Sequence, residues 1–334
     1  MRAIVEKHRA ARSVPLEGAV AIEPTADRTG SMRPPAPVPA APSGQVEQVE
    51  PVEQFAGIDA VMARASGENF PVALGVLPRR LRSHLEAIYG YARLVDDLGD
   101  RYGGDRSAAL DWLEQQIDDL YAGAPRHEVF RRLAVTVQEF AIPRTPFDDL
   151  LAANRLDQTK TAYSDWEDLL GYCALSANPV GHLVLAVLEA ATPQRLPASD
   201  AVCSGLQVLE HLQDVGEDAA AGRVYLPAED MARFGCTPAD LLAPEAGEPL
   251  RRLVAFECAR ARELLEGGRT LVASLRGFGR LAVTGFVAGG LAGLDAIEAA
   301  GWEVLGATRK AGAWRLLRRA VPLYLEAILR RGPA

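Results

Sequence analysis

Two groups of acids in this 334-residue chain stand at spacings that could hold a divalent cation. The first lies in Tyr89-Gly-Tyr-Ala-Arg-Leu-Val-Asp-Asp-Leu-Gly-Asp100, where Tyr89, Arg93, Asp96 and Asp100 recur at helical spacing and share one face. The second lies in Glu210-His-Leu-Gln-Asp-Val-Gly-Glu-Asp218, where Glu210, Asp214 and Asp218 recur one turn apart, putting three acids on one helix face. Carboxylates one turn apart repel by a few tenths of a kcal/mol unless a cation or full solvation offsets the repulsion. A single pair of this kind usually marks a solvated face. These two emerge instead from apolar runs, with Ile88, Tyr91, Leu94, Val95 and Leu98 around the first and Leu206, Val208 and Leu209 before the second. Oxygen donors with no Cys or His cluster favour Mg²⁺ over zinc, and Mg²⁺ completes its octahedron with water and substrate phosphate. The corresponding chemistry is the grip and release of a diphosphate. The metal would offset charge developing as a C–O bond breaks, and an apolar cavity would shield the carbocation left behind.

Such acids need helices to carry them, and the composition supplies helices. Leu110, Leu113, Ile117 and Leu120 step by three and four, as do Val254, Cys258, Ala261, Leu265, Gly268, Val272 and Leu275. Breaks fall at Gly103-Gly104, Gly123 to Pro125, Pro143 to Pro146, Thr192 to Pro197, Pro227, Pro238 to Pro249 and Gly277 to Gly279. No alternating strand pattern of useful length occurs. The reading is a single all-α bundle over residues 55–331. Residues 1–54 hold eight of the 22 prolines and no aromatic residue, so they read as a disordered Pro/Ala-rich arm. The longest stretch free of charged side chains, Leu169 to Leu188, contains Ser176, Asn178, Pro179 and His182 and reads as a buried core helix rather than a span. Leu281 to Leu294 is too short to span.

The net charge of −8 and pI near 5.3 argue against a nucleic-acid partner. Cys173, Cys203, Cys236 and Cys258 form no CxxC pair and read as reduced, mostly buried thiols of a cytoplasmic protein.

Several stretches together resemble the squalene/phytoene synthase family. They are Glu68-Asn-Phe-Pro-Val72, Leu77-Pro-Arg-Arg-Leu-Arg82, Ile88-Tyr-Gly-Tyr-Ala-Arg-Leu-Val-Asp-Asp97, Asn154-Arg-Leu-Asp-Gln158, Asp168 to Gly181, His211-Leu-Gln-Asp214 and Gly222-Arg-Val-Tyr-Leu-Pro227. Within that family the chain is most similar to the bacterial hydroxysqualene-forming branch of hopanoid biosynthesis. The resemblance implies an isoprenoid-synthase bundle with a central apolar cavity. It implies that Asp96, Asp100, Asp214 and Asp218 bind Mg²⁺–diphosphate, with Glu210 either a further ligand or a group behind one. Arg93, Arg223 and Tyr225 match residues near the diphosphate, and Tyr172 matches a tyrosine facing the cation path. Asn69, Phe70, Tyr89 and Gln213 complete the implied substrate-binding set; Gln213 precedes Asp214 where many members have Arg. The structural alternatives are that Tyr172 and Tyr225 are core aromatics and that Arg223 pairs only with Asp218. The implied reaction is ionisation of presqualene diphosphate, rearrangement and capture by water to give hydroxysqualene, without NADPH. The substrate would be handed over from a presqualene diphosphate synthase. The rivals are a synthase joining two prenyl diphosphates and a non-catalytic scaffold.

One segment inverts the charge. From Arg309 to Arg331 there are seven basic residues and one acid, interleaved with Trp314, Leu316, Leu317, Val321, Leu323, Tyr324 and Leu325. It reads either as a C-terminal helix packed on the bundle or as an amphipathic helix resting on an anionic membrane surface.

Overall fold

The computed structural model describes residues 51–57, 77–306 and 312–329, and among these every regular element is a helix apart from one isolated bridge. In chain order they are α1 (Val52–Phe55), α2 (Arg79–Asp100), α3 (Arg106–Tyr121), α4 (Glu128–Glu139), α5 (Thr145–Leu156), α6 (Trp166–Ser176), α7 (Asn178–Val187) and α8 (Leu196–Gln213). Then follow α9 (Val215–Ala220), α10 (Ala228–Phe234), a 3₁₀ turn (Asp240–Leu242), α11 (Glu248–Ser274), α12 (Gly277–Ala299) and α13 (Ala313–Leu329). Asn69 and Phe70, with most of the arm, lie outside the described residues. Val52–Gln54, assigned to the arm by composition, are helical, and Phe55 packs edge-on against Tyr102 with ring centroids 5.3 Å apart.

Local chemistry explains where the helices start and stop. Asp105 caps α3 by accepting from the Ala108 amide at 3.0 Å, and Asp165 caps α6 through the Asp168 amide at 2.9 Å. Prolines occupy the first turns of α5, α7, α8 and α11, where a missing N–H is harmless. Every member of the two periodic series is buried, from Leu110 to Leu120 on α3 and from Val254 to Leu275 along α11.

The buried side chains form two apolar clusters. One gathers α2, α3, α4, the start of α5 and part of α7; the other gathers α6, α8, α11, α12 and the inner face of α13. The charge-free stretch is buried as expected, but as two helices that meet at Ala177. Trp166–Val187 and Gly277–Ala299 are long and apolar enough to cross a membrane, yet more than half of each is buried inside the protein. The second outgrows the Leu281–Leu294 run because α12 also takes in Arg280 and Asp295. All four cysteines are free, and burial pushes the Cys173 and Cys258 thiols up to about 12.

An acid pair between α10 and α11 sets a pH dependence. Glu257 and Asp230 are both buried; Arg260 donates to Asp230 at 2.7 Å and lies 3.5 Å from Glu257. Burial, reinforced by Asp230 and opposed by Arg260, pushes the Glu257 carboxyl up to about 8. Between its unfolded value near 4.5 and about 8 the unfolded chain gives up this proton while the native chain keeps it. Native stability therefore falls as pH rises through that window. In denaturant titrations Glu257→Gln should remove a loss of a few kcal/mol between pH 5 and 8.5 and match the wild type at pH 5. Parallel pH profiles for the two proteins would show that Glu257 carries no such linkage.

Candidate active site

The first acid motif occupies the last turns of α2, as its spacing requires. Asp96 and Asp100 are half-buried at the end of a helix whose opposite face is core. Tyr89 and Arg93, from the same stripe, are buried. Arg93 places Nε 3.1 Å from Asp97 Oδ1, with both side chains about 1% exposed, and Arg101 approaches the same carboxylate at 3.7 Å. Asp97 was absent from the expected set; its i, i+4 spacing from Arg93 was the available signal.

The second motif differs from a continuous acid stripe. Helix α8 ends at Gln213, and Asp214 (φ −106°, ψ 12°) interrupts the helix before α9 starts at Val215. The Asp214 amide still reaches the Glu210 carbonyl at 2.9 Å and the Asp218 amide reaches the Asp214 carbonyl at 2.8 Å. The three acids thus stay one hydrogen-bonded turn apart across a break. Glu210 and Asp218 are buried; Gln213 and Asp214 are half-buried.

Arg223 joins the motifs. Gly222, at φ +78°, turns the chain after α9, and the Arg223 amide donates to the Asp218 carbonyl at 2.8 Å. Its guanidinium donates to Asp100 Oδ1 at 2.8 Å, across 123 residues of sequence. Arg223 therefore does not pair with Asp218 alone, the alternative the sequence left open. A cation shared in this way offsets the mutual repulsion of Asp96 and Asp100.

Behind the acids lies an aromatic nest built on an aspartate that the sequence left without a role. Asp157 accepts from the Tyr172 hydroxyl at 2.8 Å and from the Tyr225 hydroxyl at 3.3 Å, and all three residues are buried. The Tyr163 ring stacks on Tyr225 at 5.6 Å, and His211 also stacks on Tyr225, at 3.8 Å with planes 9° apart. The His211 Nδ1 atom is 3.9 Å from Asp218 Oδ2, so the nest reaches the second motif. Backbone bonds fix this register: Val224 donates to Thr161, Ala228 to Tyr163 and Glu229 to Ser164, at 2.7, 2.9 and 3.0 Å. Asn154 reaches Asp96 Oδ1 at 3.4 Å. Gly99 makes that approach possible, since a Cβ there would lie 2.4 Å from Asn154 Oδ1. Asn154, Asp157 and Gln158 at i, i+3 and i+4 were the signal in the sequence.

Between acids and nest is a cavity of about 10 Å³ lined by Asp96, Ala153, Asn154, Asp157, Tyr172, Ser176 and Gln207. Its walls are largely polar. The buried Ser176 Oγ has no hydrogen-bond partner among the described residues.

Among the described residues no three His, Cys, Asp or Glu side chains converge to hold a metal by protein ligands alone. The donor set nevertheless fits Mg²⁺, which is commonly held by one or two carboxylates with water and substrate phosphate supplying the rest. Asp96 and Asp100 in the first motif, and Glu210, Asp214 and Asp218 in the second, are oxygen donors only.

A helical fold with two acid motifs joined across its seam defines the class of isoprenoid synthases. Comparison with known proteins narrows it: the chain belongs to the squalene/phytoene synthase family, whose profile matches residues 63–319. The family processes prenyl diphosphates. The hydroxysqualene synthase of Sinorhizobium fredii is 34% identical over 215 residues, covering 63% of this chain and 72% of that one. The phytoene synthase of Arthrospira platensis is 33% identical over 211 residues, covering 59% and 68%. The crystal structure of squalene synthase HpnC from Alicyclobacillus acidocaldarius superposes with a TM-score of 0.69 at 40% identity, covering 76% of this chain and 97% of that one.

Proposed function

We propose that this protein converts presqualene diphosphate to hydroxysqualene and diphosphate in the cytoplasm, taking its substrate from a presqualene diphosphate synthase. The observation that carries the reading is the water-sized polar cavity beside Asp96, with its unsatisfied Ser176 hydroxyl. An enzyme releasing a hydrocarbon has reason to exclude water from the cation path, whereas one releasing an alcohol must hold one water there. Buried hydroxyls are satisfied by protein or by water, and a cavity of this size is about the least that holds one.

Asp96, Asp100, Asp214 and Asp218, with Glu210 beside them, would hold Mg²⁺ at the seam. When bound, the metal supplies Lewis-acid stabilisation of the departing diphosphate. Arg223, already at that seam, donates to the diphosphate oxygens, and Arg93 holds the helix that presents Asp96. Tyr172 and Tyr225 turn electron-rich rings and Asp157-polarised hydroxyls toward positive charge. Both carboxylate oxygens of Asp157 are engaged by phenols, which restrains them from trapping the cation. Ser176 orients the capturing water: one C–O bond forms, one O–H bond breaks, and the proton passes to the released diphosphate. No reductant is required.

Purified protein with Mg²⁺ and presqualene diphosphate should yield hydroxysqualene equally with and without NADPH. Consumption of farnesyl diphosphate with presqualene diphosphate left untouched would instead establish a synthase joining two prenyl diphosphates. The Ser176→Ala variant should release diphosphate within about threefold of the wild-type rate, while alcohol falls about tenfold relative to olefinic products. Ser176→Thr, which keeps the hydroxyl, should restore the alcohol. An unchanged product ratio in Ser176→Ala would remove Ser176 from the capture step.

A further inference from the structure

The C-terminal helix α13 turns its apolar stripe outward. Leu323 and Ala327 are its only buried residues. Arg319 donates twice to Asp295 on α12, at 2.7 and 2.5 Å, and Glu326 accepts from Arg269 on α11 at 2.7 Å. These contacts fix which face docks. On the opposite face Trp314, Leu317, Val321, Leu325 and Ile328 follow one another at steps of three and four and are all exposed, with Trp314 at 75%. Leu329 ends the stripe at 81% exposure. A folded protein rarely leaves so continuous an apolar row in water without a partner for it.

The partner is indicated by charge. Arg318 emerges beside the stripe and Arg315 at its margin, and no carboxylate among the described residues lies within ion-pair distance of either. The sequence adds Arg309 and Lys310 before the helix and Arg330 and Arg331 after it. An apolar row flanked by unneutralised arginines, on a chain whose net charge is −8, matches the interface of an anionic bilayer. Tryptophan at one end suits the headgroup boundary, where its ring is buried and its N–H stays solvated.

We propose that α13 docks the enzyme in the plane of an anionic phospholipid surface, with Trp314, Leu317, Val321, Leu325 and Ile328 entering the acyl boundary and Arg315 and Arg318 meeting lipid phosphates. Docking is separate from the chemistry of the site, so its test needs no turnover. The full chain should co-sediment with vesicles of equal parts phosphatidylglycerol and phosphatidylcholine, with a blue shift of tryptophan fluorescence, and far less with phosphatidylcholine alone. Raising the salt should weaken binding. The triple variant Trp314→Ser/Leu317→Ser/Leu325→Ser should lose binding about a hundredfold, and Arg315→Glu/Arg318→Glu at least about tenfold, each with unchanged circular dichroism. Failure of the wild type to bind anionic vesicles at low salt would overturn the proposal. So would full binding by the triple variant. A self-associated wild type that becomes monomeric in the triple variant, without vesicle binding by either, would assign the stripe to a second copy and overturn it too.

Discussion

Replacing Asp96 by Asn is expected to lower the rate of diphosphate release from presqualene diphosphate by about a thousandfold. Asn preserves the shape of the side chain and the approach of Asn154 at 3.4 Å, so the melting temperature should hold while the anionic oxygen is lost. The second motif should respond in the same way through Asp214→Asn. The double variant should be scarcely worse than either single one, because groups that act as one clamp are not additive. Release rates measured as a function of Mg²⁺ concentration separate loss of metal affinity, which excess Mg²⁺ restores, from loss of the clamp, which it does not. Full activity in the double variant would show that neither acid motif takes part in the reaction.

The largest expected effect on stability lies one turn earlier. Arg93 and Asp97 are both about 1% exposed, with Nε 3.1 Å from Oδ1. Arg93→Met would leave a buried carboxylate with Arg101 at 3.7 Å, and breaking a buried pair of this kind costs about 3–5 kcal/mol. Arg93→Met/Asp97→Leu should recover most of that loss, since an apolar pair of similar volume often replaces a buried ion pair without penalty. The double variant also separates two roles of Arg93. A stable protein with full turnover would confine Arg93 to holding α2, whereas a stable protein with impaired turnover would place its charge in the diphosphate's field. Denaturant titration paired with steady-state kinetics reads both.

What could be read from the sequence was whatever depends on neighbours a few residues apart. The helical period marked the buried faces of α3 and α11, Pro and Gly marked the breaks, and the Asp96–Asp100 pair lies where its spacing put it. The interruption at Asp214 was not legible, because no proline announces it and the hydrogen bonds on either side continue. Asp157 was passed over for a different reason. Its surroundings come from Tyr163, Tyr172 and Tyr225, three segments that meet only after folding. The same holds for Arg223, whose nearest acid in sequence is Asp218 but whose guanidinium pairs with Asp100. For α13 the pattern revealed an apolar side without saying which side faces the protein. The ion pairs of Arg319 with Asp295 and Arg269 with Glu326 decide that, and both partners lie on other helices.

The placement of the acid motifs on two separate apolar clusters has an energetic consequence. Asp96 and Asp100 ride on one cluster, Asp214 and Asp218 adjoin the other, and Arg223–Asp100 is a direct charged link between the motifs. Any anion gripped from both sides therefore acts as a mortise between the halves. Its binding free energy becomes resistance to their separation, about 2.7 kcal/mol at a hundredfold excess over the dissociation constant. On the proposed reading, a bound diphosphate would stiffen the two clusters against separation, and its departure would release them.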